Sequence, residues 1–374
     1  MKRHILLLVG LLLVAGLVFS ACAPAAPAEA PAEEEAAEAE PAEAEEAEEA
    51  EAEEVEEAEE AEAPMDDVKV IGVSSFQQGN DWNIQVAEGA KARIAELGWE
   101  VVHTNAEADM DAMITALEGF LSQGVDGVVI GGGSAPALEP MIEKLADAGI
   151  PVVTIDITSQ NAVTNIYPDN YMTTELLAVF AVNKMDGLPG KYAHLTIPDF
   201  GWKTVDIRDK VADLAFEIEG WEFTGILDSG LADAINQSKT ATRSALLANP
   251  DLDLVYSSWG MPAVGAASAI REAEMTDQVF VVNTDADRIV LAEMAEEDSP
   301  IAACIGQRPT DMGIMAVDYL GKAFAGDEDI ATITFAPFYF VTYEKELVPP
   351  GVEVLTPEEA WEAIYPNVEF GEAN

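Results

Sequence analysis

The stretch VKVIGVSSFQQGNDWNIQVAEGAKARIAEL, residues 68–97, decides the fold. Its first six residues form an almost continuous apolar run, the pattern of a strand buried on both faces. A polar loop follows, in which Gln77, Gln78, Asn80 and Asn83 surround Asp81 and Trp82. Apolar residues then recur at helical spacing: Ile84, Val86, Ala87, Ala90, Ile94 and Leu97. The order is strand, loop, helix. In an open α/β sheet, ligands bind beyond the carboxyl ends of the strands, so this loop marks a candidate site. Its amides both donate and accept hydrogen bonds, and its indole offers an apolar face.

Outward from this stretch, short apolar runs alternate with amphipathic segments about every 25 to 30 residues, as in a parallel α/β sheet. Strands are expected at 100–103, 127–130, 152–155, 192–197, 222–227, 254–257, 279–283 and 302–305. Helices are expected at 81–97, 109–123, 135–148, 171–185, 205–219, 231–247, 262–274, 287–296 and 311–325. About 300 residues exceed one comfortable core, so two domains are expected. The polar stretch 161–170, with Pro168, is the expected break.

The first 67 residues are of another kind. Lys2, Arg3 and His4 precede an apolar run at 5–19, and Ser20 and Ala21 precede Cys22. Residues 1–21 read as an export signal, too short to span a bilayer comfortably. Small residues before a Cys resemble the bacterial lipobox, which implies lipidation at Cys22, although Phe19 stands where that motif usually has Leu. From Glu29 to Glu62 there are 19 glutamates and no basic residue. Like charges at i,i+4 repel and nothing apolar is available to pack, so residues 22–67 read as a lipidated Cys and a solvated acidic tether.

The net charge is −52. Without the tract glutamates, Lys2 and Arg3, 51 acids face 16 bases, a charge of about −35. That balance argues against nucleic acid as a partner. The two cysteines are Cys22 and Cys304. No disulfide framework and no zinc pattern follow from them, and Cys304 reads as a buried thiol. GGGSAP at 131–136 lacks the spacing of a phosphate or dinucleotide loop, and Ser134 reads as a helix cap. No G-x-S-x-G, no H-E-x-x-H and no Ser/His/Asp set is apparent, and neither His103 nor His194 reads as catalytic or metal-binding.

The body from Val68 to about Val348 resembles the ribose-type periplasmic substrate-binding proteins of ABC transporters. The features that carry this are Asn80, Trp82 and Asn83, then Glu88-Gly89-Ala90, Gly149-Ile150-Pro151-Val152, Ile155-Asp156 and Asp169-Asn170. Val264-Gly265-Ala266-Ala267, Val281 to Asp285 and Gly306-Gln307-Arg308-Pro309 complete the series. The resemblance implies an α/β fold of the type I periplasmic binding protein class, two Rossmann-like lobes with parallel sheets joined by a multi-strand hinge. It places residues 68–168 and 308–335 in the N-terminal lobe, and 169–307 and 336–374 in the C-terminal lobe.

The resemblance also implies a pocket. Asn80 would bond sugar hydroxyls, Trp82 would stack on a ring face and Asn83 would replace a second aromatic. Asp156 and Asp285 would accept hydroxyl hydrogens, Arg208 would donate from the second lobe, and Gln307 would lie on the crossing strand. Trp259 stands where an amide is usual and Ile157 where sugar binders often carry an arginine. Physically, sugars call for charged or amide planes beside aromatic platforms. Trp82, Trp202 and Trp259 all fall near predicted loops after strands, though Trp202 and Trp259 read equally well as packing residues. Asp156 could instead cap or brace a hinge, Arg208 could pair with Asp209 or Glu217, and Asp287 reads as a helix N-cap. Arg308 reads as a support for the backbone.

The expected function is an extracytoplasmic lipoprotein, monomeric and anchored to the cell membrane at Cys22. It captures a monosaccharide or related polyol between closing lobes and delivers it to an ABC permease. Neither cofactor nor metal nor catalysis is expected. Alternatives are the same scaffold holding a nucleoside or furanose-like solute, or a sensor coupled to a chemoreceptor. A DNA-binding regulator lacks its basic headpiece here, and a glycosidase would have to use Asp156 and Asp285 as its carboxylate pair.

Overall fold

β1 (Val70–Ser75) is buried along nearly its whole length and pairs in parallel with strands on both sides, which is why its apolar run hardly alternates. The computed structural model describes residues 68–372; the leader, Cys22 and the acidic spacer lie outside the described residues. After β1 come α1 (Asp81–Glu96), β2 (Glu100–Asn105), α2 (Met110–Gln123), β3 (Gly127–Gly131), α3 (Ala135–Asp147), β4 (Val152–Ile155) and β5 (Thr164–Pro168). Asn80 starts α1 by accepting the Asn83 amide, Asp109 caps α2, and Gly124 ends α2 in the left-handed conformation at φ 67°.

The chain then builds a second sheet. It continues with α4 (Asn170–Lys184), β6 (Lys191–Thr196), α5 (Lys203–Ile218), β7 (Glu222–Asp228), α6 (Ala234–Ala248), β8 (Leu254–Ser257) and α7 (Gly260–Glu272). β9 (Phe280–Thr284), α8 (Arg288–Met294) and β10 (Ile301–Gln307) follow. α9 (Pro309–Phe324) and β11 (Ile333–Ala336) return to the first sheet, and β12 (Phe338–Val341), β13 (Val354–Leu355) and α10 (Pro357–Ile364) finish on the second. The orders are β11-β5-β4-β3-β1-β2 and β13-β12-β10-β9-β8-β6-β7. All pairings are parallel except β10 with β12. This is the α/β fold of two mostly parallel sheets that the sequence led us to expect. The chain passes between the sheets three times, near Asp169, Arg308 and Pro337.

Residues 161–170 are not an open linker. Five of them are β5, fully buried between β4 and β11. Its polar Asn165 is tolerated there because it is satisfied: it accepts from Thr154 Oγ1 and the Ser159 amide, each at 2.7 Å, and donates to the Thr332 carbonyl at 2.8 Å. The crossover begins only after Pro168.

α9 docks on α1 through two glycines. A Cβ at Gly313 would stand 2.2 Å from the Val86 carbonyl, and one at Gly89 2.2 Å from that of Thr310. The stretch beyond Val348 also belongs to the body. Trp361 of α10 is buried in the core of the second sheet with Ala360 and Tyr365, and Thr356 and Glu359 form a capping box. Cys304 is a free, buried thiol in the same core. Among the described residues, no helix is long and apolar enough to cross a membrane.

Candidate functional site

Six strand ends converge on one crevice. Ser75 of β1 leads into Phe76 and the Asn80–Asn83 turn, and Ile155 of β4 leads into Asp156. On the facing sheet, Thr196 of β6 leads toward Trp202 and Arg208, Ser257 of β8 toward Trp259, and Thr284 of β9 into Asp285. Gln307 closes β10 at a crossover. The candidate residues therefore end a strand or lie in the loop or first turns of the helix that follows one, where helix N-termini and free backbone groups face a ligand.

The core of the site is acidic, with Arg208 acting on Asp156 and Asp285 and Arg288 on Asp287. Asp156 and Asp285 both have left-handed backbones, φ 61° and 80°, unusual for residues other than glycine. Burial pushes the Asp156 carboxyl up to about 6; Arg208 opposes this and Asp285 adds to it. Burial likewise raises Asp285, against the pull of Arg208 and of the Gln307 hydrogen bond. Asp287 is held well above the carboxylate range by burial and by the charges of Asp285 and Asp81. Arg208 is 2% exposed, and donates Nε to Asn170 Oδ1 at 2.7 Å and Nη1 to the Ser258 carbonyl at 3.0 Å. Its Nη2 and Asp156 Oδ1 are buried without protein partners, a donor and an acceptor left over in one crevice.

Around this core stand amides and rings from both sheets. Trp82 Nε1 donates to Gln307 Oε1 at 3.0 Å, and Gln307 Nε2 donates to Asp285. Gln307 is 4% exposed and has both ends of its amide in use. Phe76 meets Trp202 edge-on at 6.2 Å and Phe200 at 6.3 Å, while Phe200 and Trp202 are 4.8 Å apart. This aromatic wall joins the β1 loop to the β6–α5 loop. The Trp202 Nε1–H is buried and unpartnered. Arg288 holds Asp81 across the sheets with Nη2 to Oδ1 at 2.7 Å and Nε to Oδ2 at 2.9 Å.

Some expectations change on inspection. Asn80 and Asn83 spend their side chains on each other, Asn83 Nδ2 donating to Asn80 Oδ1 at 2.7 Å, so both build the α1 N-terminus first. Trp259 is buried, with Nε1 donating to Ser229 Oγ at 3.3 Å, a packing role at the start of α7. Arg208 pairs with neither Asp209 nor Glu217. Asp287 and Ser134 occupy N-cap positions yet make no side-chain cap bond. Arg308 lies 2.5 Å from Asp311 and over the Tyr339 ring, so its charge serves α9. Phe76, the Asn170 contact to Arg208 and the Asp81–Arg288 pair went unmarked, because nothing in local spacing announces a partner up to 207 residues away.

A triad-like contact also emerges where motif scanning finds no Ser/His/Asp set. Ser258 Oγ lies 2.9 Å from His194 Nε2, and His194 Nδ1 lies 3.1 Å from Asp213. The Ser258 hydroxyl donates to Asp209 instead, and its side chain is fully buried. No nucleophile faces the crevice there. Among the described residues, no group of three or more His, Cys, Asp or Glu side chains is arranged to hold a metal ion.

Comparison with known proteins agrees with this geometry. The model of the periplasmic binding protein domain family matches residues 71–328. The ribose import binding protein of Bacillus subtilis is 24% identical over 274 residues, covering 71% of this chain and 84% of that protein. An ABC sugar transporter subunit from Rhodobacter sphaeroides superposes with a TM-score of 0.69 at 24% identity, covering 74% of this chain and 98% of its own. A 5-methylthioribose transporter solute-binding protein from Thermotoga lettingae, solved with 5-methylthioribose, gives 0.67 at 22%, covering 80% and 94%. The family match spans well over half the sequence and both sheets of the fold, and the chain belongs to the periplasmic binding protein domain family.

Proposed function

We propose that this chain is a solute receptor that captures a monosaccharide or related polyol between its two sheets and presents it to an ABC permease. The observation that carries this reading is that Asp156 Oδ1 and Arg208 Nη2 are both buried without protein partners, an unused acceptor and donor in a crevice walled by aromatic rings. Neighbouring hydroxyls donate to one and accept from the other, while the C–H face of the sugar lies against Trp82 or Trp202. The relatives' names, ribose import among them, support the same class. On this reading the lobes correspond to residues 68–168 with 308–335 and 169–307 with 336–374. The protein works as a monomer outside the cytoplasm, held to the membrane by a lipid on Cys22, and carries out no chemistry.

The aromatic wall of Phe76, Phe200 and Trp202 favours a second solute for the same crevice: a furanose with an apolar substituent, or a nucleoside. A thermal-shift panel on the full chain separates these. D-Ribose, D-allose, D-galactose, allitol, 5-methylthioribose, adenosine and L-alanine are each added in excess. Ligand at about 100 times its Kd adds about 2.7 kcal/mol of stability, an easily seen rise in Tm. A response to free sugars or allitol supports the first reading, and one confined to 5-methylthioribose or adenosine supports the second. Response to L-alanine alone refutes both.

A further inference from the structure

Behind the crevice lies a buried polar cluster that solute capture leaves unused. His194 stands on β6 at 1% exposure, and both its ring nitrogens face carboxylates one helical turn apart on α5. Nδ1 lies 3.1 Å from Asp213 Oδ1, and Nε2 lies 3.1 Å from Asp209 Oδ1. A carboxylate oxygen accepts, so an imidazole that donates to both carries two N–H groups, the cationic form, whereas a neutral ring keeps Nδ1–H on Asp213 and accepts the Ser258 hydroxyl, 2.9 Å from Nε2. Asp209 also accepts Thr196 Oγ1–H at 2.7 Å and the Ser258 hydroxyl, and Asp213 accepts Tyr192 O–H at 3.0 Å. Tyr256 of β8 presents its ring edge-on to the imidazole at 4.8 Å. Beyond Ser258 the chain of contacts reaches the crevice, because the carbonyl of that residue holds Arg208 Nη1.

We propose that His194 is a positioning residue for the crevice: through Asp209 and Ser258 it fixes the carbonyl that aims the Arg208 guanidinium toward Asp156 and Asp285. This deepens the proposed function and rests on it for its consequence in solute capture, though the structural coupling does not. Burial alone would push the imidazole down, but its hydrogen bonds and proximity to Asp209 and Asp213 reverse this and hold it above the ordinary histidine value. His103 is the natural internal reference, since burial and Lys91 lower it. As pH rises through the His194 titration, Nε2 loses its proton and draws the Ser258 hydroxyl, 2.9 Å away, from Asp209. Asp209 and Ser258 must then rearrange, and Arg208 loses its fixed anchor.

The chain has three histidines, so nitrogen-edited imidazole spectra of the full protein across pH resolve them, with His103→Gln and His194→Gln for assignment. His194 is expected to show two ring protons and to titrate at higher pH than His103. The Arg208 Nε–H resonance is expected to shift with the His194 midpoint and to become flat over that range in His194→Gln. Ser258→Ala should leave the His194 titration above that of His103 yet uncouple Arg208 from it, which guards against a merely misfolded His194 variant. A His194 that titrates below His103, or an Arg208 signal indifferent to the His194 titration in the wild type, overturns the proposal. No solute enters these spectra, so they succeed or fail independently of the solute panel.

Discussion

Asp156 and Asp285 occupy equivalent places in the two sheets. Each is the first residue after its strand, β4 or β9, and each donates its amide at 2.9 Å to the next strand, to the Ile166 or the Ile305 carbonyl. Both then turn into the left-handed region, which aspartate tolerates better than most residues at a cost of about 1 kcal/mol or more. Strain retained twice, at matched positions and beside a shared arginine, points to a common task. The two carboxylates reach one crevice from opposite sheets, and Arg208 tempers both.

The pH dependence of solute binding follows from that environment. Asp156 lies near 6 in the folded protein against an ordinary 3.8, so between those values the folded state binds more protons than the unfolded chain. Stability of the free protein attributable to this group therefore falls as pH rises from about 3.8 to about 6. A sugar hydroxyl that donates to the carboxylate favours its charged form, so binding releases a proton and affinity rises across the same window. Calorimetry in two buffers of different ionisation enthalpy should detect the release at pH 5, and Asp156→Asn should reduce it. Proton uptake at that pH would refute the assignment.

Trp82 and Gln307 join the α1 turn to a crossover strand, and the indole also packs against the core of the first sheet. Trp82→Phe keeps a ring but orphans the Gln307 oxygen, a loss of about 1–3 kcal/mol in stability. Trp82→Ala removes the ring as well, so both Tm and affinity should fall further. Melting and titration of both variants check the order, and an alanine variant that binds like the wild type would exclude the indole as a platform.

The legibility of the molecule in its sequence divides along physical lines. Strand β1, the loop after it and helix α1 were readable because burial on both faces yields apolar runs and amphipathic spacing. Strand β5 was not, because TNIYP looks polar until Asn165 finds Thr154, Ser159 and Thr332 inside the sheet. The family resemblance pointed to Asp156, Asp285 and Gln307, each of which ends or directly follows a strand. It could not reveal that Asn83 donates to Asn80, or that Ser258 meets a histidine 64 residues earlier. Trp361 shows the same limit: a short amphipathic tail gives no hint of which core it fills.

The Asp81–Arg288 pair bridges α1 and α8 and so ties the two sheets together on one side of the crevice. Its side chains are only 15% and 19% exposed, so salt screens it weakly. In Asp81→Asn, Arg288 keeps the Glu372 carbonyl and the Tyr365 ring but loses the charge of the Asp81 carboxylate. A loss of about 1.4–3 kcal/mol in the closed form means a solute dissociation rate about 10- to 100-fold faster. Stopped-flow tryptophan fluorescence with the sugar identified in the panel measures it. Unchanged dissociation would show that the pair is incidental to closure.

Two glycines in helices, Gly119 and Gly313, should respond oppositely to the same change. Alanine favours a helix over glycine by about 1 kcal/mol, so propensity alone predicts that both substitutions stabilise. At Gly119 of α2 the new methyl would meet only Gln123 Nε2 at 3.8 Å, an ordinary contact, and propensity should win. At Gly313 it would stand 2.2 Å from the Val86 carbonyl and 2.6 Å from the Ala90 amide, backbone that cannot yield without moving α9 off α1. That shift loosens Met312, Ala316, Val317 and Leu320, all fully buried, and overpacking of this kind costs about 1–3 kcal/mol or more. Denaturant midpoints should therefore rise for Gly119→Ala and fall for Gly313→Ala. A rise in both would mean that the close approach of α1 and α9 is not what seats the returning helix.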